Sequence, residues 1–148
     1  MIREITKADR NTYLLFAQAF YSLGAVAHPI PRRHLVATFD HLMETDTYAK
    51  GYIIEQNGKS VGYALTAKTF SQEAGGFVVW IEELFILPEY RGKGLGSEFF
   101  AYVKQHIEPT VARIRLEVTE DNRGAIDLYQ KQGFEFLPYQ QMIKDLLR

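Results

Sequence analysis

A chain of 148 residues suits one domain with a real core, and 47% hydrophobic with 24% charged residues is an ordinary globular balance. The 17 basic and 18 acidic side chains leave a formal net charge of −1, which argues against a general nucleic-acid surface. The absence of cysteine excludes disulfides, thiolate catalysis and cysteine metal sites. No basic start leads into an apolar leader and no apolar run is long enough for a membrane span, so a cytoplasmic protein with no membrane partner is expected.

In chain order, Met1 to Ile5 is a short strand candidate. Thr6 with Asp9 resembles a capping box, and Tyr13, Leu14, Ala17, Phe20 and Tyr21 follow at helical spacing up to Gly24. Residues 25–31 form a loop, because Pro29 and Pro31 break both helix and strand. Pro31 is placed to open the next helix, whose apolar stripe is Leu35, Val36, Phe39, Leu42 and Met43. From Tyr48 the period changes to that of a strand, and Asn57-Gly58 signals a two-residue hairpin. The returning strand, Lys59 to Phe70, puts Val61, Tyr63, Leu65 and Ala67 on one face if alternation is strict. Phe77 to Leu87 is apolar on both faces, as a central strand would be.

The stretch that follows carries the chemistry. Pro88 stops the strand, and Arg91-Gly92-Lys93-Gly94-Leu95-Gly96 turns into a helix continued by Phe99, Val103 and Ile107. A glycine turn at a helix start offers backbone N–H groups and the positive end of the helix dipole to an anion, usually a phosphate. The dinucleotide fingerprint fails, since its third glycine falls on Ser97 or Phe99; a Walker loop fails as well. Beyond Pro109, Ile114, Leu116 and Val118 alternate as a strand, which implies a right-handed parallel crossover. Asp121 or Asn122 caps a helix bearing Ala125, Leu128 and Tyr129, and Gly133 ends it. Phe134 to Leu137 and Tyr139 to Lys144 are expected to be two last strands.

The turn Arg91-x-x-Gly94-x-Gly96, with Asn122, Ala125, Leu128-Tyr129 and Gly133-Phe134 downstream, resembles the GNAT superfamily of N-acetyltransferases over residues 77–137. Ile81 to Ile86 followed by Tyr90-Arg91-Gly92 is similar to its polyamine and diamine acetyltransferase branch. The resemblance implies a single α/β domain over residues 1–148. Its sheet would be mixed and mostly antiparallel, with helices on both faces and one parallel strand pair at the cofactor site. It implies acetyl-CoA as cosubstrate and no metal. The pantetheine would lie on the backbone of Leu84, Phe85 and Ile86, and the pyrophosphate on Arg91, Gly92, Lys93, Gly94, Leu95, Gly96 and Ser97. Asn122 would add a bond to the pantetheine beside its capping role. The implied reaction moves an acetyl group to a primary amine, with a polyamine, diamine or amino acid as small-molecule acceptor. A protein N-terminus or lysine as acceptor, or a non-catalytic acyl-CoA-binding module, stays open, and so does a homodimer.

Two residues are given catalytic roles. Tyr129 would be the acid that protonates the leaving thiolate, against the alternative of a core tyrosine with a bonded hydroxyl. Glu82 and Glu83 sit inside an apolar run, where unpaired burial costs several kcal/mol, so either has a partner or a function. Strict alternation puts Glu82 with Val78, Trp80, Leu84 and Ile86, and Glu83 with Ile81, Phe85 and Leu87. Glu82 is the expected base, with a bulge as the main threat to that assignment. Tyr21, His28 and Glu83 are expected around the acceptor amine.

Overall fold

A computed structural model describes residues 1–23 and 28–147. Five strands form one sheet: β1 (Ile2–Glu4), β2 (Ala49–Gln56), β3 (Lys59–Ser71), β4 (Gly76–Ile86) and β5 (Val111–Leu116), in sequence order across the sheet. The first four pair antiparallel, and β4 with β5 is parallel. Helices α1 (Arg10–Ser22) and α2 (Arg32–Glu44) cover one face, and α3 (Leu95–His106) and α4 (Arg123–Lys131) the other. The expected mixed α/β architecture is therefore present. The expected helix end at Gly24, and the loop residues 25–27, lie outside the described residues.

Local chemistry explains the elements. Asp9 accepts from the Thr6 N–H at 2.7 Å, completing the capping box, and is clamped by Arg3 at 2.8 Å. Asn57 and Gly58 both take positive φ, 51° and 75°, as a type I′ turn demands. Pro31 sits one residue before α2, with extended ψ, so it caps the helix instead of opening it.

The sheet departs from strict alternation at two places, and both matter to the site. In β3, Ile54 pairs with Gly62 but Glu55 with Ser60, so Val61 is an extra residue. Val61 therefore packs with Ile54 and Leu95 under α3, while Tyr63 and Leu65 face α1 and α2. In β4, Leu65 pairs with Glu83 but Thr66 with Ile81, which makes Glu82 the extra residue. Ile81 then joins Phe99, Phe100 and Val103 on the α3 face, and Phe85 joins Phe16 and Tyr63 on the α1 face. The single faces expected for Val61-Tyr63-Leu65-Ala67 and for Ile81-Glu83-Phe85 are thus corrected: a bulge advances the chain by one residue and reverses every side chain after it.

Gly62 lets β3 and β4 close up opposite this kink, since a Cβ there would collide with the Phe85 carbonyl oxygen. The two final strands expected at Phe134 to Leu137 and Tyr139 to Lys144 do not form; the chain there has no strand pairing among the described residues.

Candidate active site

A cleft of about 890 Å³ opens where β4 and β5 part. The parallel pairing runs only from Phe77–Val111 to Ile81–Leu116. From Glu83 to Ile86 strand β4 stays paired with β3 on one side, and its other edge faces the cleft. The kink at Glu82 starts at this parting, so the strand turns its open edge into the gap. Leu84, Phe85 and Ile86 line it, as do Arg91, Gly92, Gly94, Leu95, Gly96 and Ser97.

The glycine turn is built as the sequence implied, with a different reason at each glycine. Gly92 and Gly94 have φ of 71° and 85°, a left-handed conformation in which side chains are strained, and added Cβ atoms would meet nothing. Gly96 is helical, and its Cβ would lie 2.8 Å from Leu128 Cδ2, so this glycine lets α3 approach α4. The first free carbonyl of the turn, Gly94 O, is bonded by Glu98 N at 3.0 Å. No backbone acceptor is found for the N–H groups of Leu95, Gly96 and Ser97, the first-turn donors that a helix leaves open. Arg91 Nε donates to the Ile86 carbonyl at 2.8 Å, tying the cradle to the strand end, and Lys93 lies over the Tyr90 ring at 5.1 Å. Lys93 is not among the residues lining the cleft.

The two glutamates occupy one cleft in different surroundings. Glu83 is 7% exposed and is held by two phenols: Tyr63 donates at 2.9 Å and Tyr21 at 3.3 Å. Burial pushes its carboxyl up to about 7; the two tyrosine bonds oppose the shift, and the charge of Glu82 adds to it. The neighbouring burial and carboxylate charge push the Tyr21 and Tyr63 phenols up as well. Glu82 is exposed to the cleft, and its carboxyl is raised by partial burial and by Glu117 across the opening. Tyr21 meets the site only through its bond to Glu83 and is not among the residues lining the cleft. His28 is exposed and does not line the cleft among the described residues.

On the opposite wall, Asn122 Oδ1 accepts from Ala125 N at 3.3 Å and so caps α4. Tyr129 packs its ring between Phe100 and Phe134, at 5.8 and 6.0 Å, and is among the residues lining the cleft. Burial alone raises its phenol, with no hydrogen bond contributing. Thr119 was missed by the sequence reading. The residue is among those lining the cleft, and its hydroxyl is a buried oxygen without a hydrogen-bond partner among the described residues. Its place three residues before the cap Asn122 was the available signal.

Open strand edge, donor-rich turn and orphaned hydroxyl together fit a long ligand ending in a phosphate. The family model described as "Acetyltransferase (GNAT) family" matches residues 11–134.

The chain belongs to the GNAT family. It is 29% identical, over 99% of its length and 64% of the other protein's, to an uncharacterised N-acetyltransferase of Methanocaldococcus jannaschii. It is 33% identical to a spermine/spermidine N(1)-acetyltransferase of Bacillus subtilis, over 60% of this chain and 61% of that one. The chain therefore spans less than two thirds of the length of these relatives. Among solved structures, a possible acetyltransferase from Clostridium difficile 630 superposes with a TM-score of 0.84 at 20% identity, covering 100% of this chain and 98% of that one. The aminoglycoside acetyltransferase AAC(6')-Iy, solved with a bisubstrate analogue of CoA, gives 0.81 at 16% identity, covering 99% and 98%. These two structures share the fold of this chain.

Proposed function

We propose that the protein transfers an acetyl group from acetyl-CoA to a primary amine. The observation that carries this reading is the opening between β4 and β5, which joins a free strand edge to an anion-binding helix start and to two carboxylates. The pantetheine would lie along Leu84 to Ile86, as an added strand does, with Thr119 and Asn122 on its other side. Its pyrophosphate would take the N–H groups of Leu95, Gly96 and Ser97, with the free guanidinium nitrogens of Arg91 beside them. When bound, acetyl-CoA supplies the activated acyl group.

The remaining work falls to side chains of this chain. A protonated amine is no nucleophile, so a group must hold the proton it gives up. Glu82 suits that role: it faces the cleft, has no side-chain partner among the described residues, and has a raised pKa. Glu83, with its oxygens engaged by Tyr21 and Tyr63, suits positioning of the incoming ammonium. A backbone N–H of the open β4 edge would meet the developing oxyanion. The unbonded Tyr129 hydroxyl would give its proton to the departing sulfur.

The carboxylate pair favours a cationic small acceptor, and the Bacillus relative's name points to polyamines. The direct test is thiol release from acetyl-CoA against spermidine, short diamines, amino acids, aminoglycosides and peptides. A chain without cysteine gives no background with a thiol reagent. Amine-dependent release is expected, highest with diamines or polyamines. Absence of release with every acceptor, alongside measurable CoA binding, would replace the enzyme by a binding module.

A further inference from the structure

A second cavity, of about 260 Å³, lies beneath the other end of α3 and shares no lining residue with the cleft. The cleft meets α3 at its first turn. This cavity meets it at Tyr102, Val103 and His106, roughly 10 to 16 Å further along the helix axis. Its wall is aromatic. Tyr102 stacks on His106 with ring centroids 4.0 Å apart, and His106 Nδ1 lies 2.8 Å from the Tyr102 carbonyl oxygen, which holds the imidazole in place. Tyr52 meets Tyr102 edge-on at 5.8 Å. Burial pushes the Tyr52 phenol up to about 12, so it stays a neutral hydroxyl at working pH. Thr66 and Val103 are the two buried lining residues. The volume is just below the roughly 300 Å³ at which pockets for drug-sized ligands begin, so a body of about one aromatic ring is the fit.

The charges that the sheet itself brings to this cavity are positive. Lys50 of β2 pairs directly opposite Thr66, and Lys68 follows Thr66 by two residues on β3. Both lysines line the cavity, and such diagonal neighbours stand roughly 7–8 Å apart on one face. Lys50 is loosely satisfied. Its nearest acids, Asp46 and Glu4, lie at 3.6 and 3.9 Å, beyond hydrogen-bond distance, and are themselves exposed. Lys68 bonds Glu108 at 2.7 Å, but that carboxylate also faces solvent. Asp46 and Glu108, the two acids that line the cavity, stand on the connectors before β2 and β5 and not on strands. Exposed ion pairs of this kind are weak, so a ligand anion can replace either acid at its lysine. Two strand-held ammoniums beside a buried hydroxyl and a phenol suit a carboxylate, and the aromatic wall suits an apolar body attached to it.

We propose that this cavity is a second binding site, for a small hydrophobic carboxylate. The ring or short chain of the ligand packs on Tyr52, Tyr102 and His106, and its carboxylate sits between Lys50 and Lys68 beside the Thr66 hydroxyl. The site is separate from the acetyl-transfer cleft and stands whether or not that reading of the cleft holds.

Titration of the isotope-labelled full chain with 3-phenylpropionate, followed by amide shifts, carries the test. Saturable shifts are expected at residues lining the cavity on β2, β3 and the end of α3, with a dissociation constant of roughly 0.1–1 mM for a ligand of this size. Phenylpropanol, which lacks the charge, and acetate, which lacks the ring, should each bind at least about tenfold more weakly. That comparison needs no variant. The double variant Lys50→Met, Lys68→Met should keep its far-UV spectrum, since both side chains are partly exposed, and should lose affinity by at least about tenfold. Saturating CoA should leave the affinity unchanged. Shifts centred on the glycine turn, or displacement by CoA, would put the carboxylate in the cleft and overturn the proposal. Equal binding of phenylpropanol, or unchanged affinity in the folded double variant, would remove the lysines from recognition and overturn it too. Absence of saturation at roughly ten times the expected concentration would mean that the cavity is no site for this class of ligand.

Discussion

Glu82 and Glu83 are adjacent in sequence, yet the bulge gives one a free face on the cleft and the other a bed of phenols. Their variants should therefore differ. With Glu82→Gln, the acidic limb of the rate against pH should disappear and the rate should recover at high pH, where the amine deprotonates unaided. In the native protein that limb should lie above the ordinary carboxylate range, because burial and Glu117 raise Glu82. Matching profiles for Glu82→Gln and Glu83→Gln would remove Glu82 from the role.

Glu83 has a consequence for stability. Its folded-state pKa, about 7, exceeds that of an unfolded glutamate, so the folded protein holds this proton more tightly. The contribution is fully present below about pH 4.3 and is lost as pH rises through 7, by at most about 4 kcal/mol. Melting temperature from pH 5 to 8 should fall more steeply in the native chain than in Glu83→Gln; parallel curves would show that Glu83 ionises freely. Thr119→Val should leave the fold intact and weaken CoA binding by several-fold, as read by calorimetry. Unchanged affinity would mean that the orphaned hydroxyl does not touch the ligand.

At the scale of elements, the turn into α3 separates a binding role from a packing role. Gly94→Ala puts a side chain at φ 85° and should cost about 1 kcal/mol of stability while lowering CoA affinity. Gly96→Val drives its side chain into Leu128 and should mainly destabilise, by about 1–3 kcal/mol, by prising α4 from α3. Leu128→Ala in the same chain should restore part of that loss, because the obstructing methyl groups are gone. If denaturant unfolding finds the double variant no more stable than Gly96→Val alone, the clash is not the cause. Asn122 ties the same pair of helices to the cleft, since the residue that caps α4 also lines its wall.

At the scale of the molecule, two helical layers enclose a sheet whose last pair diverges, and the proposed ligand site is the divergence itself. A ligand that bridges β4, the α3 start and the α4 wall should stabilise the whole domain. At a hundredfold excess over Kd the expected gain is about 2.7 kcal/mol, a rise of several degrees in melting temperature for a chain this size. CoA should produce that rise and adenosine, which lacks the pyrophosphate and the pantetheine, should not; an equal response to both would place binding outside the cleft.

The elements built on local signals were legible in the sequence: the Thr6–Asp9 capping box, the Asn57-Gly58 turn, the stop at Pro88, the glycine cradle and the cap at Asn122. Each depends on residues within a few positions of one another, so the chain alone determines it. The tertiary structure decided which way side chains point. Val61 and Glu82 are extra residues only relative to the strand opposite them, and a period-two reading has no access to that partner. The same holds for Thr119, whose hydroxyl the tertiary fold buries with no hydrogen-bond partner among the described residues, and for Gly96, needed because Leu128 arrives there from another helix. It holds also for residues 134–144, whose apolar pattern reads as strand but stays unpaired here. A strand exists only where a neighbour supplies its hydrogen bonds, and among the described residues no strand pairs with that segment.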